Sequence, residues 1–432
     1  MPFKNKTVVV MGRGSGIGRA ISFFYLGIST VTFAFCFGAQ ACNDAPRQKT
    51  EGSITYEISN PLEEPLGDIG FTISASEIKT DTAAIFDDNG RPLPVQWDDL
   101  DGDGQPDELF FLAGLEPGST LKLSLIPGQE APKTEPRAQV VLKTQNTPFT
   151  VEGARELKAP YVPQSALPAP SNLTPQNMWA MFEGPVWENG LIAYRFYLDS
   201  RNRTDIYGKQ VSALVMDTVG WDYHDIQDWG ADILKVGESL GIGSPAVWYD
   251  GKAHALEKAV AKKVEVVANG PLRNFIRTTF TGLAIDTFHM DLTWELEMHA
   301  GHHWTESRLK AETPLPEGMY FATGIVKHLP DFTAGEEGAV AYGYNWGPQS
   351  FHEQLLGMAL MIKKNSQPRL KDSELDHLII MEGNNQQAIY RFLAVWEKGT
   401  ARIQSEGAFR QLLEKECRIW SAELNFIKAG GK

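Results

Sequence analysis

Cysteine is scarce in this sequence. The 432 residues contain 3 cysteines, and two of them, Cys36 and Cys42, lie in or beside an apolar N-terminal run. No disulfide framework is therefore available, and the fold must be stabilised by a hydrophobic core. The hydrophobic share of 42% is ordinary for a globular protein that buries such a core.

Basic residues are also few relative to acidic ones. Lys and Arg total 40 against 54 Asp and Glu, which gives a formal net charge of -14. Because phosphate binding needs a basic face, this balance argues against nucleic acid as a partner. It also disfavours an acidic polysaccharide, unless a local basic site overrides the overall field.

The N-terminal segment has no acidic residue before Asp44. From Lys6 to Ala20 it reads KTVVVMGRGSGIGRA, which resembles the opening strand and glycine turn of a short-chain dehydrogenase. That motif needs a following helix, a second strand and an acidic residue about 20 positions on to hold the ribose. The segment that follows, Ile21 to Phe37, is almost wholly apolar. We therefore expect no NAD or NADP cofactor.

The same segment has the features of an export signal. Positive residues precede the apolar run, and the small residues Gly38-Ala39-Gln40-Ala41 precede Cys42. This resembles a lipoprotein signal with Cys42 as the acylated residue. Cleavage without a lipid, or a retained membrane anchor, are the alternatives. We expect an exported protein of the periplasm or outer membrane, anchored to the membrane by a lipid, with residues 1–42 as signal and 43–52 as tether.

Turn residues and period-2 alternation dominate the rest of the chain. Short strands separated by turns predict a small β-domain over residues 53–130, with a hairpin turn at Asp87 to Gly90. Residues 131–175 are rich in proline and polar residues and are interpreted as a linker. The main domain is expected to span residues 176–430.

The main domain has the strongest strand patterns. Phe288 to Met298 alternates apolar and polar residues, and Asn269-Gly270 joins two further strands. Two helices are expected, Trp229 to Leu240 and Glu406 to Leu424. Antiparallel strands with polar outer faces predict sandwich or barrel layers and a mainly β protein with few helices.

An acidic loop is the sharpest local motif. Its sequence, DLDGDGQPD, places carboxylates around glycines so that their oxygens can surround a hard cation such as Ca²⁺. An EF-hand would need Glu at position 12, where Phe110 stands. The alternatives are a structural calcium loop or a solvated turn without metal. The candidate ligands are Asp99, Asp101, Asp103 and Asp107.

Two histidine clusters are candidate sites of general base catalysis. His302 and His303 stand in a polar strand with His299, Glu306 and Arg308 nearby. Such a cluster can hold a transition metal or supply a general base, and an exposed strand end without function is the alternative. His224 stands among tryptophans and aspartates that would orient its imidazole and raise its pKa, although it could be a simple surface histidine. We expect His224 to be the base, with His303 or His302 orienting the substrate.

A row of polar residues is a candidate anion site. Arg195, Tyr197, Asp199 and Arg201 share one strand face, and arginine binds carboxylate or sulfate through two parallel hydrogen bonds. A cross-strand salt ladder is the alternative. The further candidates for substrate binding or proton transfer are Tyr194, Tyr207, Lys209, Trp221, Tyr344 and Trp346.

Several long motifs resemble the domain-of-unknown-function family 4861. They are GRPLPVQWDDLDGDGQPDELFFLAGLEPG, WENGLIAYRFYLDSRNRTDIYGK, DYHDIQDWGADILKVGESLGIG, GHHWTESRL, TGIVKH and GYNWGPQS. The resemblance runs from about Ser53 to the C terminus. It implies an antiparallel β-supersandwich main domain like that of sugar mutarotases and several polysaccharide lyases. It also implies a place in Bacteroidota-type loci for carbohydrate degradation, often beside enzymes that handle unsaturated uronic acids.

The resemblance suggests β-elimination on a uronic-acid-containing saccharide. This reaction needs a cation at the carboxylate, a base for the C5 proton and an acid for the leaving oxygen. Arg195 or Lys209 could supply the cation. If the leaving group is a sugar the protein is a lyase, and if it is water it is a dehydratase. The alternatives are a glycoside hydrolase, with carboxylates among Glu183, Glu188 and Asp228, or a non-catalytic glycan-binding lipoprotein that uses Trp221, Trp229 and Trp346.

Overall fold

The computed structural model describes residues 52–151, 159–422 and 424–429. These residues belong to one compact unit that runs from Lys49 to Lys432. The predicted signal, the glycine run and Cys42 lie outside the described residues. Within the described residues, no helix is long and apolar enough to cross a membrane.

Strands account for most of the regular structure. The strands before residue 170 are β1 Ile54–Ser59, β2 Leu66–Ser74, β3 Ala83–Phe86, β4 Val95–Asp98, β5 Glu108–Leu115, β6 Thr120–Pro127, β7 Ala138–Val141, β8 Lys143–Gln145, β9 Tyr161–Pro163 and β10 Ala166–Pro168. The next are β11 Val186–Asn189, β12 Ile192–Phe196, β13 Thr204–Lys209, β14 Gly230–Asp232, β15 Ile242–Tyr249, β16 Lys252–Ala255, β17 Ala261–Asn269, β18 Arg273–Ile285, β19 Phe288–His299 and β20 Trp304–Ala311. The last are β21 Tyr320–Val326, β22 Thr333–Glu337, β23 Val340–Pro348, β24 Leu355–Lys363, β25 Pro368–Asp372, β26 Asp376–Met381, β27 Gln387–Trp396 and β28 Asn425–Lys428.

Helices are few, as the sequence predicted. The described residues contain two α-helices, α1 Ala75–Ile78 and α2 Glu406–Ser421, and two short 3₁₀ helices at Met181–Glu183 and Lys364–Ser366. The hydroxyl of Ser405 caps the N-terminus of α2 by accepting the Ala408 N–H. The mainly β class and the antiparallel sandwich are therefore confirmed.

A nine-stranded antiparallel sheet forms the centre of the main domain. Its strand order is β10-β17-β18-β19-β20-β27-β24-β23-β22, and two five-stranded sheets, β14-β13-β12-β11-β7 and β16-β15-β21-β26-β25, accompany it. The predicted alternation in β19 is confirmed, because Met290, Leu292, Trp294, Leu296 and Met298 all lie in the largest hydrophobic core. The hairpin at Asn269-Gly270 is also confirmed, since β17 and β18 pair on either side of it.

A second, smaller sandwich contains strands β1 to β6 together with β28. Its sheets have the orders β28-β1-β6-β3 and β2-β5-β4, and they enclose a second hydrophobic core. The turn at Asp87 to Gly90 is present, because Asp87 N–H donates to Arg91 O at 2.9 Å. The final strand, β28, pairs antiparallel with β1, so the last described residues complete the first sheet.

Two expectations about local structure are corrected. The segment Trp229 to Leu240 is not a helix, because it begins as strand β14 and continues as turns. Gly230 has φ of +142°, and a Cβ there would lie 1.8 Å from Gly208 O, a strand contact that a helix would not make. The segment 131–175, interpreted as a linker, contributes strands β7 to β10 to the sheets.

Candidate functional site

One face of the nine-stranded sheet packs on the main core, and its other face, here called the outer face, carries charged side chains. The strand registers place residues of opposite charge beside one another across β18, β19, β20 and β27. The opposed pairs are Arg277 with Glu295, Glu295 with Arg308, and Glu306 with Arg391. The outer face is therefore a surface of mixed charge rather than an apolar one.

Two carboxylates, Glu297 and Glu306, face each other directly across β19 and β20. Arg308 bridges them, with Nη1 at 2.7 Å from Glu297 and Nη2 at 2.6 Å from Glu306. Burial opposes ionisation of both groups, but hydrogen bonds and nearby cations hold the pKa of each below its usual value. Both are therefore carboxylates at neutral pH, and neither can serve as the protonated acid of a glycoside hydrolase pair.

A cleft opens where the outer face meets β2 and the end of α2. It has a volume of about 410 Å³, which lies in the usual range for small-molecule sites. The guanidinium carbon of Arg391 lies 3.9 Å from the Trp304 ring centroid and 4.6 Å from that of Trp420. The exposed Lys363 places Nζ 5.4 Å from the Trp420 ring. Two cations and two indole rings thus surround one opening, called here the outer-face cleft.

Arg391 retains donor capacity toward the cleft. Its Nε and Nη2 contact Glu306 at 2.9 and 2.8 Å. Within residues 52–151, 159–422 and 424–429, Nη1 has no hydrogen-bond acceptor. Because a guanidinium carries five N–H donors in a fixed plane, one of its edges remains available to an anionic ligand.

His299 lies on the floor of the same cleft. Its Nε2 lies 2.8 Å from Glu297 Oε1. Since Glu297 is ionised, Nε2 carries the proton and Nδ1 carries the lone pair. Burial lowers the pKa of His299 despite the Glu297 hydrogen bond, so the imidazole is neutral. Gly70 makes this packing feasible, because a Cβ there would lie 2.6 Å from His299 Cε1.

His302 has a different protonation state. Its Nδ1 lies 3.3 Å from both carboxylate oxygens of Glu416, and its Nε2 lies 3.1 Å from the carbonyl oxygen of Asp68. Both ring nitrogens face acceptors, so both must donate, which requires an imidazolium. Burial alone would lower the pKa of His302, but Glu416 raises it. His302 therefore joins β2 to α2 as a cation at the wall of the cleft.

The sequence of the described region also identifies its family. The model of the family described as "Domain of unknown function (DUF4861)" matches residues 58–425. The chain belongs to the DUF4861 family. No curated protein matches it.

Solved structures resemble the DUF4861 chain only distantly. A protein in the Glycosyl Hydrolase Family 38 from Enterococcus faecalis has a TM-score of 0.48 and 8% identity, and covers 88% of this chain and 48% of its own. An alpha-mannosidase from Enterococcus faecalis V583 has a TM-score of 0.45 and 9% identity, with 88% and 46% covered. The DUF4861 chain thus spans about half the length of these two proteins. At such values the similarity carries no argument about activity or substrate.

The structure brings together four residues that the sequence singled out elsewhere: His224, Arg195, Tyr207 and Trp221. The guanidinium of Arg195 contacts Asp205 and lies 2.8 Å from Asp232. His224 Nδ1 lies 3.4 Å from the same Asp232 oxygen. The Cζ atom of Arg195 lies 5.0 Å from the centroid of the Tyr207 ring. Arg195 also donates a hydrogen bond to the Tyr223 hydroxyl at 3.2 Å. The ring of Trp221 packs against that of Tyr223, with the two centroids 5.8 Å apart. These residues are called the His224 network.

The interior of the His224 network is inaccessible to substrate. Arg195 is 1% exposed, and its two carboxylate partners neutralise it. It is buried because the segment that carries Met216, Val219 and Tyr223 packs over this side of β12 and β13. This corrects the expectation that Arg195 holds a substrate carboxylate. The Nε of Arg195 and the hydroxyl of Tyr207 have no hydrogen-bond partner among the described residues.

His224 itself is 60% exposed at the edge of this network. Its pKa was expected to be raised by the neighbouring aspartates, but burial and the Arg195 cation lower it. The imidazole is therefore neutral, which is the form that accepts a proton. His224 remains a second candidate base, although no accessible cation of its network faces it.

Five further candidates do not share a common site: four are buried, and Trp346 is half-buried. Tyr194 donates its hydroxyl to His303 O at 2.6 Å, and burial lowers the pKa of His303 to about 4. Lys209 is buried against Glu188. Tyr344 donates to Glu406 at 3.0 Å, and Trp346 packs on Phe409 at 5.4 Å, both against α2. These contacts explain their burial without a ligand.

The residues that complete the outer-face cleft were missed in the sequence. Arg391 and Trp420 follow His299 by about a hundred residues, and no local pattern distinguishes them. The β20 and β27 register brings Arg391 beside Glu306, and α2 brings Trp420. The local signal that could have located the outer-face cleft is the GHHWTESRL motif, which contains His302 and Trp304.

The acidic loop between β4 and β5 brings three of its four candidate ligands together. Side-chain oxygens of Asp99, Asp101 and Asp107 lie within 4.8 Å of one another, whereas Asp103 accepts the Gln105 N–H at 2.8 Å. Backbone N–H groups of Gly104 and Gly102 lower the pKa of Asp99. An all-oxygen set of this kind fits a hard cation such as Ca²⁺, and calcium binding remains a prediction.

Proposed function

We propose that the outer-face cleft binds an anionic saccharide and that the protein acts on uronic-acid-containing oligo- or polysaccharide by β-elimination. The single observation that supports this is the meeting of Arg391, Lys363, two indole rings and a neutral, carboxylate-oriented His299 in one cleft. Cation, aromatic surface and base are the groups that the reaction needs at a uronate ring.

The cations would act on the carboxylate. Neutralising it favours loss of the C5 proton, because negative charge develops on the carboxylate as that proton leaves. Arg391 offers a guanidinium edge, and the exposed Lys363 offers an ammonium group that lines the cleft. Trp420 is half-buried between them and provides a flat apolar surface for the C–H face of a sugar ring.

His299 would act as the base. Its Nδ1 accepts the C5 proton, the C–H electrons form the C4–C5 double bond, and the C4–O bond breaks. The imidazolium that results then returns its proton to the leaving oxygen. Glu297 stabilises the imidazolium through the 2.8 Å contact with Nε2, as a carboxylate does for a catalytic histidine in general. A sugar leaving group makes the protein a lyase, and water makes it a dehydratase.

An ultraviolet absorbance screen on pectic, ulvan-type and alginate oligosaccharides tests the reaction, because elimination creates a conjugated double bond. His299→Gln keeps the contact with Glu297 and should lower turnover by about 10²–10⁴-fold. The matched control is His289→Gln, an exposed histidine on the same strand, which should leave turnover unchanged.

The result that would contradict the assignment is loss of turnover in His224→Gln with activity kept in His299→Gln, which would move the base to the His224 network. Binding of a uronate oligosaccharide without absorbance on any substrate would instead make the protein a glycan-binding module.

A further inference from the structure

A second cavity lies away from the outer-face cleft. It has a volume of about 720 Å³ and lies among the β15–β16 hairpin, the start of β26 and the turn between β18 and β19. Its size admits a ligand of two or more sugar rings, since drug-sized ligands occupy sites of about 300–1,000 Å³. None of the residues discussed for β-elimination lines it.

One side chain in this cavity has an unused acceptor. Asp376 is 7% exposed, and its Oδ1 accepts the Leu240 N–H at 2.8 Å. Its Oδ2 has no hydrogen-bond partner among the described residues. Because Asp376 lines the cavity, this oxygen is open to a donor from solvent or from a ligand. Burial raises the pKa of Asp376 to about 6, so it is mainly ionised at neutral pH and accepts strong hydrogen bonds.

The rest of the lining favours hydroxyl groups and disfavours anions. Trp248 is half-buried and presents an indole ring to the cavity, with Arg369 5.8 Å from that ring. The buried Arg203 is already satisfied by Ser239 O and Glu257, both at 2.7 Å. Carboxylates outnumber the Lys and Arg side chains in the lining, so the local field repels a negatively charged ligand.

We propose that this cavity binds a saccharide without negative charge. A hydroxyl of the sugar donates to Asp376 Oδ2, and the ring packs on Trp248. Carboxylates accept from sugar hydroxyls more strongly than neutral groups do, and an aromatic face covers the apolar side of the ring. The chain would then hold a neutral sugar here independently of any uronate in the outer-face cleft.

Calorimetric titration of the full chain with maltose, cellobiose and lactose tests the proposal, with sodium glucuronate as the anionic comparison. At least one neutral disaccharide should bind saturably, and glucuronate should not compete. Asp376→Asn keeps an acceptor for the Leu240 N–H and should weaken binding by about tenfold or more, which is the worth of one hydrogen bond to a charged acceptor.

Two control variants separate this site from the rest of the molecule. Asp331→Asn, an exposed acid that does not line the cavity, should leave binding unchanged. Trp420→Leu removes the outer-face cleft's aromatic surface and should also leave it unchanged. If none of the three sugars gives saturable heat, or if Asp376→Asn binds with the same affinity as wild type, the proposal is wrong. Neither result bears on the elimination reaction proposed for the outer-face cleft.

Discussion

Replacing Arg195 should destabilise the protein strongly, because this buried cation holds two buried carboxylates. Arg195, Asp205 and Asp232 are 1%, 0% and 3% exposed. Removing one partner of a buried ion cluster costs about 3–5 kcal/mol, since the remaining charges lose their compensation. Arg195→Met is close in size and keeps the packing against Tyr197, so the measured effect reports on charge rather than on a cavity.

The size of the melting shift follows from the length of the compact unit. For the unit from Lys49 to Lys432, an unfolding entropy of about 2.1 cal/mol/K per residue gives a total unfolding entropy of roughly 0.8 kcal/mol/K. Arg195→Met should therefore lower Tm by about 4–6 °C in differential scanning calorimetry. Arg91→Met, at a pair whose arginine is 76% exposed, is the control and should stay within about 1 °C of wild type.

Two further measurements test whether the loss of stability comes from the uncompensated charge of Asp232. Burial and Asp205 raise the pKa of Asp232 above its usual value, so this group stabilises the fold at low pH and loses that contribution as pH rises through its folded pKa. The defect of Arg195→Met should therefore be smaller at pH 5 than at pH 8. Adding Asp232→Asn should restore part of the lost Tm. A Tm for Arg195→Met within 1 °C of wild type, or no gain in the double variant, would refute the account.

Three other outcomes are expected. Millimolar Ca²⁺ should raise the Tm of the wild-type protein by mass action, and the Tm of Asp101→Ala should equal that of wild type in the presence of a chelator. If calcium does not change the wild-type Tm, the acidic loop is a solvated turn without metal. Glu416 raises the pKa of His302 above its ordinary value of 6.5, so the stability that this pair contributes is present below pH 6.5 and is lost as pH rises through the folded pKa. His302→Gln should therefore flatten the dependence of Tm on pH in this range, and an unchanged slope would count against the imidazolium. Mass spectrometry of membrane fractions should find an acylated Cys42 at the new N-terminus. A mature chain that begins at Met1 or Met11 would exclude the lipoprotein signal.

Alternation along the chain predicted strands well because it reports a local property. Residues such as Leu292 and Trp294 in β19 alternate with polar neighbours, and their burial follows from the pleat of one strand. The same argument gave the mainly β class, and the hairpin at Asn269-Gly270 followed from another local signal, the Asn-Gly turn. Period-2 patterns need no knowledge of distant segments, and this is why they succeeded.

The candidate site was harder because its residues come from separate parts of the chain. The polar row that begins at Arg195 suggested an exposed binding face, but a later segment covers that face. Arg391 joins the outer-face cleft through the register of β20 and β27, which no local pattern encodes. The prediction of a helix from Trp229 was wrong for a related reason. Gly230 adopts a positive φ where it packs closely against β13, a distant contact that the local sequence does not show.

The pairing of β28 with β1 has a consequence for biosynthesis. Asn425 lies beside Ser59 and Lys428 beside Tyr56, so the first sheet receives its edge strand only after residues 425–428 have been made. Until then β1 exposes unpaired backbone N–H and C=O groups, a form of edge that invites pairing with other chains. A C-terminal truncation before Asn425 should leave that edge permanently open, and the shortened protein should aggregate during expression even though every residue of the outer-face cleft is still present.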